Sequence, residues 1–155
     1  MERMIRKLKI RDWDMAMQLA WDTFLVYEAP EYSKEGVKNF HDFVKGEELR
    51  NMFSLGDYMA WGSFDENDVI GGVLGIRKHW HISLLFVESS LHHQGIATRL
   101  LRNAFAQAKS EGVRELTVNS SPYAVWFYHR IGFKDLDHER LTDGIRYTPM
   151  SIELF

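Results

Sequence analysis

The ten residues from His92 to Leu101 read His-His-Gln-Gly-Ile-Ala-Thr-Arg-Leu-Leu, and their types and spacing suit the binding of a phosphate. An apolar run of strand length, Ile82 to Val87, precedes them, and an amphipathic pattern through Leu100, Leu101, Ala104, Phe105 and Ala108 follows. The spacing predicts strand, tight turn and helix in succession. The first N–H groups of such a helix have no intrahelical partner and point outward with the positive end of the helix dipole. A pyrophosphate can sit against them. Gly95 and Ala97 allow the close approach, although the same turn also suits an α/β protein that binds no nucleotide.

The histidines invite a metal reading, since His79 and His81 alternate onto one strand face and His92 and His93 follow. Without cysteine or carboxylate at ligand spacing they read as surface and turn residues, and no metal is expected. Gly71, Gly72 and Gly75 read as positions in a bulged strand.

Placed after Phe86-Val87, the turn His92-x-x-Gly95-x-Ala97 resembles the acyl-CoA pyrophosphate loop of the GNAT superfamily of N-acyltransferases, with His92 where that family has Arg or Gln. A second segment, Ala124-x-x-x-Tyr128-x-x-x-Gly132-Phe133, resembles the family's other signature and follows the strand Glu115 to Asn119. The resemblance is clear from about Tyr58 to Phe133. It implies acetyl-CoA as co-substrate, held by Leu85, Phe86, Val87, His92, Gln94, Gly95, Ile96, Ala97, Thr98, Asn119 and Tyr128. It also implies an acetyl group passed directly to a primary amine of a small molecule or peptide in a ternary complex.

That reaction has to bind an alkylammonium, deprotonate it, stabilise an oxyanion at the thioester carbonyl and protonate the leaving thiolate. A backbone N–H near Leu85, Phe86 or Val87 is the expected oxyanion donor, where similar enzymes splay two parallel strands. Tyr128 falls on the family's Tyr position, and its phenol suits protonation of a thiolate. Similar enzymes often carry a glutamate base on the strand before the phosphate turn. Here His81, Ser83 and Leu85 share that strand face and include no carboxylate, so His81 is the expected base. Glu28, Asp22 and Glu88 are the alternatives. The missing strand carboxylate also keeps open a non-catalytic acyl-CoA-binding sensor or regulatory module.

These residues need a scaffold, and the periodicities supply one. Met4 to Ile10 reads as a strand, Asp12 as the cap of a helix bearing Trp13, Met17, Ala20, Trp21 and Phe24, and Ser33 as the cap of a second helix reaching Val44. A short helical stretch covers Glu48 to Ser54. Tyr58 to Phe64 and Val69 to Arg77 form a hairpin about Asp65 to Asp68, and Trp80 to Val87 feeds the turn. A right-handed crossover places Glu115 to Asn119 parallel to that strand. Tyr123 to Ile131 follows as a helix, with strands at Phe133 to Leu136 and Ile145 to Phe155 around a polar loop, His138 to Gly144. The resulting class is α/β (α+β, mixed sheet). A central, mostly antiparallel sheet is flanked by helices in the order β-α-α-β-β-β-α-β-α-β-β, as a GNAT-like fold requires.

At 155 residues, 45% hydrophobic and 26% charged, the chain suits one soluble domain over residues 1–155. The absence of cysteine excludes disulfides and an acyl-cysteine intermediate. A net charge of -3 with no Lys/Arg block gives no attraction to nucleic acid. The N-terminus shows no signal peptide or membrane span, so the expected location is cytoplasmic. Tyr27 and Tyr32, in the loop Val26 to Tyr32, suit an amine pocket or a homodimer contact equally.

Overall fold

The computed structural model describes residues 3–155 as an eight-stranded sheet with helices on both faces. The strands are β1 (Met4–Lys7), β2 (Tyr58–Phe64), β3 (Ile70–Arg77), β4 (His81–Val87), β5 (Glu115–Ser120), β6 (Lys134–Asp135), β7 (Arg140–Thr142) and β8 (Ile145–Glu153). The helices are α1 (Trp13–Tyr27), α2 (Lys34–Lys45), α3 (Glu47–Ser54), α4 (Ile96–Ser110) and α5 (Val125–Ile131). The path across the sheet is β1-β2-β3-β4-β5-β8-β6, with β7 on β8. Every pairing is antiparallel except β4 with β5. No helix among the described residues is long and apolar enough to cross a membrane.

The core lies in two layers. Trp13, Met17, Ala20 and Phe24 of α1 and Val44 of α2 pack with Val73, Leu84 and Phe86 on one face. On the other face Ile96, Leu100, Leu101 and Ala104 of α4 pack with Leu74, Ile82, Leu116 and Val118. The apolar repeat of α4 at helical spacing thus becomes one buried stripe.

The structure corrects several expected boundaries. The first strand ends at Lys7, while the short helical stretch expected over Glu48 to Ser54 is present as α3. Asp12 does not cap α1. Its carboxylate accepts from the Lys9 N–H at 2.8 Å and pairs with Arg6 at 2.9 Å, tying the strand exit to the helix start. The polar segment His138 to Gly144 contains β7, which closes a hairpin with β8. Ser33 does cap α2, accepting from the Gly36 N–H.

Two irregularities position the site. Ser63 pairs with Gly72 and Phe64 with Ile70, leaving Gly71 as an extra residue in β3. Gly75 pairs with Leu84 and Ile76 with Ile82, leaving Ser83 as an extra residue in β4. A bulge shifts the alternation of side chains by one. Ile82 therefore faces the α4 layer while Leu84, two residues later, faces the α1 layer. The expected grouping of Leu85 with His81 and Ser83 fails for this reason, because past the bulge Leu85 joins the α4 layer.

Candidate active site

The parallel strands β4 and β5 pair only at His81 with Thr117 and Ile82 with Val118, and beyond those residues they separate. Hydrogen bonds at the strand ends fix which main-chain groups face the gap. The Glu88 N–H donates to the Gly71 carbonyl, so residues 84, 86 and 88 turn their main chain to β3 while Leu85 and Val87 turn theirs to the gap. Across the gap the Leu154 N–H donates to the Arg114 carbonyl. Residues 116, 118 and 120 are thereby committed to β8, and the Asn119 main chain faces β4. Leu85, Val87 and Asn119 thus line two strand edges too far apart to satisfy each other. Phe86 is turned away, which removes its N–H from the expected oxyanion donors.

The gap leads to the start of α4. Gly95 is its N-cap residue, left-handed at φ 77°, and no side chain caps the helix. The N–H groups at Ile96, Ala97 and Thr98 are therefore open to a ligand. Gln94 and Gly95 are exposed, whereas Ile96 is buried beneath the turn and anchors it. His92 turns inward. Its Nε2–H donates to the Val87 carbonyl at 2.7 Å and its ring lies 4.9 Å from Tyr27, so the side chain braces the turn against β4 and α1.

Midway along β4 a half-buried polar pair sits at the bulge. The Tyr58 hydroxyl and Ser83 Oγ are 2.6 Å apart, with the Tyr58 ring crossing β3 over Gly75. A Cβ at Gly75 would overlap that hydroxyl, so glycine is required there. Burial pushes the Tyr58 pKa upward and keeps it a neutral hydroxyl.

A cleft of about 500 Å³ passes through the sheet at this gap, lined from the α1 side by Glu28, Tyr32 and Phe40 and from the α4 side by Ala124 and Tyr128. His81, Ser83, Leu85, Phe86 and Asn119 also line it. Tyr128 is 4% exposed, packed edge-on against Phe127 and Phe133, and no described residue hydrogen-bonds its hydroxyl. Burial raises its pKa, and the Glu28 carboxylate raises it further. The Nδ1 of His81 meets Thr117 Oγ1 at 2.8 Å. Burial and the nearby Arg77 lower the His81 pKa and leave it neutral.

Glu28 carries the unexpected chemistry. It follows the last turn of α1, where the chain enters the loop before α2, and burial raises its pKa to about 7. The Ser121 and Tyr32 hydroxyls pull in the opposite sense. Even so, Ser121 Oγ has no partner at hydrogen-bond geometry, so the carboxyl is only partly stabilised as an anion. The sequence names Glu28 only as an alternative base, because its burial comes from segments far away in the chain. Asp22 is exposed, and Glu88 caps the short turn at Ser90, so neither of those alternatives enters the cleft.

A family model described as an acetyltransferase (GNAT) domain matches residues 28–154. A curated acetyltransferase of Agrobacterium fabrum is 36% identical over 72 residues, 44% of this chain and 53% of that protein, so the chain spans about half the length of that relative. Among solved structures, a GCN5-related N-acetyltransferase from Rhodopseudomonas palustris has a TM-score of 0.83 at 18% identity, covering 99% of this chain and 96% of its own. The PaiA N-acetyltransferase of Thermoplasma acidophilum, in complex with coenzyme A, has a TM-score of 0.78 at 24% identity and 99% coverage of both chains. An aminoglycoside 6'-N-acetyltransferase complexed with coenzyme A reaches 0.67 at 15% identity, covering 98% and 97%. At these identities the solved structures share the fold.

Proposed function

Because this chain belongs to the GNAT family of acetyltransferases, we propose that it moves an acetyl group from acetyl-CoA to a primary amine of a small molecule or peptide. The transfer is a direct attack within a ternary complex, carried out in the cytoplasm by one domain over residues 1–155. The observation that carries this reading is the β4/β5 gap opening onto the uncapped start of α4. The first offers main-chain partners to an extended chain of amides, and the second offers N–H groups to a pyrophosphate. Pantetheine and its pyrophosphate need those two surfaces in that order.

In this reading Leu85, Val87 and Asn119 hold the pantetheine amides, while Gln94 to Thr98 surround the pyrophosphate. His92 acts through the turn it braces. The oxyanion at the thioester carbonyl takes a main-chain N–H from the gap edge at Leu85 or Val87. The carboxylate of Glu28 removes the ammonium proton, the amine nitrogen attacks the acetyl carbon, and the carbon–sulfur bond breaks. Tyr128 protonates the departing sulfur, and solvent returns both groups to their starting states. Glu28 is preferred to His81 as the base because a carboxylate can gain a proton at a pKa near 7, whereas the surroundings of His81 resist its becoming charged.

Calorimetric titration with acetyl-CoA, followed by a free-thiol assay against a panel of amines, tests the reading. Binding with amine-dependent thiol release is expected. Binding without release from any amine overturns the transferase reading, and absence of binding overturns the assignment of the gap.

A further inference from the structure

Arg77 is the last residue of β3 and stands opposite His81 in the β3/β4 register. Its guanidinium lies 5.1 Å from the centroid of Phe43, and both residues line the cleft through the sheet. No described carboxylate is within ion-pair distance of it. Of the cleft's own acids, Glu28 faces Ser121 and Tyr32, and Asp143 lies in the turn between β7 and β8, neither in an ion pair with Arg77. Arg77 is exposed yet lines the cleft, and its charge is felt both at His81 and at Tyr58, whose hydroxyl meets Ser83 at the bulge. A guanidinium resting on an aromatic face keeps its planar fork of N–H donors free, and that fork matches a carboxylate.

Resting on the acetyltransferase reading, we infer that the acceptor amine carries a carboxylate, which Arg77 binds while the ammonium end turns to Glu28. The acceptor class is therefore an amino-carboxylate, and simple alkylamines and polyamines are disfavoured. An extended diamine would place its second cation against the Arg77 guanidinium, whereas an amino-carboxylate meets opposite charge at both ends. Phe40 and Phe43 supply an apolar wall for the methylenes between the two ends.

The test is a calorimetric titration of the CoA-saturated protein with ω-aminocarboxylates of two to six carbons and with alkylamines of matched length. At least one aminocarboxylate is expected to bind on the order of tenfold more tightly than its partner amine, the scale of a partly exposed charge-assisted pair. Arg77→Met is expected to erase that preference, and Arg77→Lys to retain part of it. Equal binding of the matched pairs, no binding by any aminocarboxylate, or a preference that survives Arg77→Met overturns the inference. CoA affinity, measured in every variant, separates this outcome from failure of the acetyltransferase reading. Loss of CoA binding in the unaltered protein would overturn that reading, while titration of the free protein would still decide the role of Arg77.

Discussion

Replacing Glu28 with glutamine keeps the shape of the side chain and removes its capacity to accept a proton. The carboxyl of Glu28 has its pKa raised from 4.5 to about 7 by burial, and as a base it works only when ionised. Roughly a tenth of it is ionised at pH 6 and roughly nine tenths at pH 8, so kcat/KM of the unaltered protein is expected to climb through pH 7 and level off. Glu28→Gln is expected to lose about 10²-fold to 10³-fold in kcat at pH 8, the contribution of one positioned base, and to lose the rise near pH 7. The same burial sets a stability difference of opposite sign. A raised carboxyl pKa means that the folded state holds its proton more tightly than the unfolded chain, so stability falls as pH climbs from 4.5 to about 7. At 1.36 kcal/mol per unit the full cost is about 3 kcal/mol, and glutamine carries none of it. The variant is therefore expected to match the unaltered protein at pH 4 and to melt roughly 6–10 °C higher at pH 8. The assays are thiol release across pH 5.5–9 and calorimetric melting over the same range. A variant that keeps both its rate and its rise at pH 7 refutes Glu28 as the base. A melting difference that does not grow with pH refutes the burial argument beneath it.

Three further substitutions probe the remaining parts of the site. Tyr128→Phe is expected to slow acetylation by about 10²-fold with acetyl-CoA affinity unchanged in calorimetry, and equal rates would refute its role as proton donor. Gly95→Ala meets no atom within 4 Å but places a side chain at φ 77°. The expected cost is about 1–2 kcal/mol with weaker acetyl-CoA binding, read by urea unfolding and titration. Gly75→Ala forces the buried Tyr58 off Ser83 and is expected to cost about 1–3 kcal/mol. When it is combined with Tyr58→Ala in one chain, the two costs are expected to sum to less than their separate values, because the clash is removed, as non-additivity between touching residues requires.

The strand, turn and helix from Ile82 to Ser110 are legible in the sequence because each rests on local chemistry. An apolar run, a glycine able to take a left-handed φ, and an apolar stripe at helical spacing all lie within thirty residues. The separation of β4 from β5 follows only from the family resemblance, and no local signal in the sequence marks the bulge at Ser83. It lies where the Ser83 and Tyr58 hydroxyls pair, between residues twenty-five positions apart and across a glycine on the intervening strand. Without that bulge, period-two alternation assigns Leu85 to the wrong face. The Arg140 to Thr142 strand is equally hidden, since its residues are exposed and its pairing comes from the β8 segment. Glu28 was visible as a carboxylate in a loop, but its acidity depends on burial among segments that only the fold brings together.

The two ionisable groups of the proposed reaction are not independent. Tyr128 is a poor acid while Glu28 is ionised, because the carboxylate raises the phenol pKa beyond what burial alone does. Once Glu28 has taken the ammonium proton, that repulsion is gone. Tyr128 then becomes a better donor at the step where the thiolate leaves. The order matters because an early proton from Tyr128 would place two anions in one buried cleft. A late one replaces a departing thiolate with a neutral thiol and leaves a single phenolate beside a neutral carboxyl. In the proposed reaction, protonation of the leaving sulfur by Tyr128 is thus tied to prior uptake of a proton by Glu28.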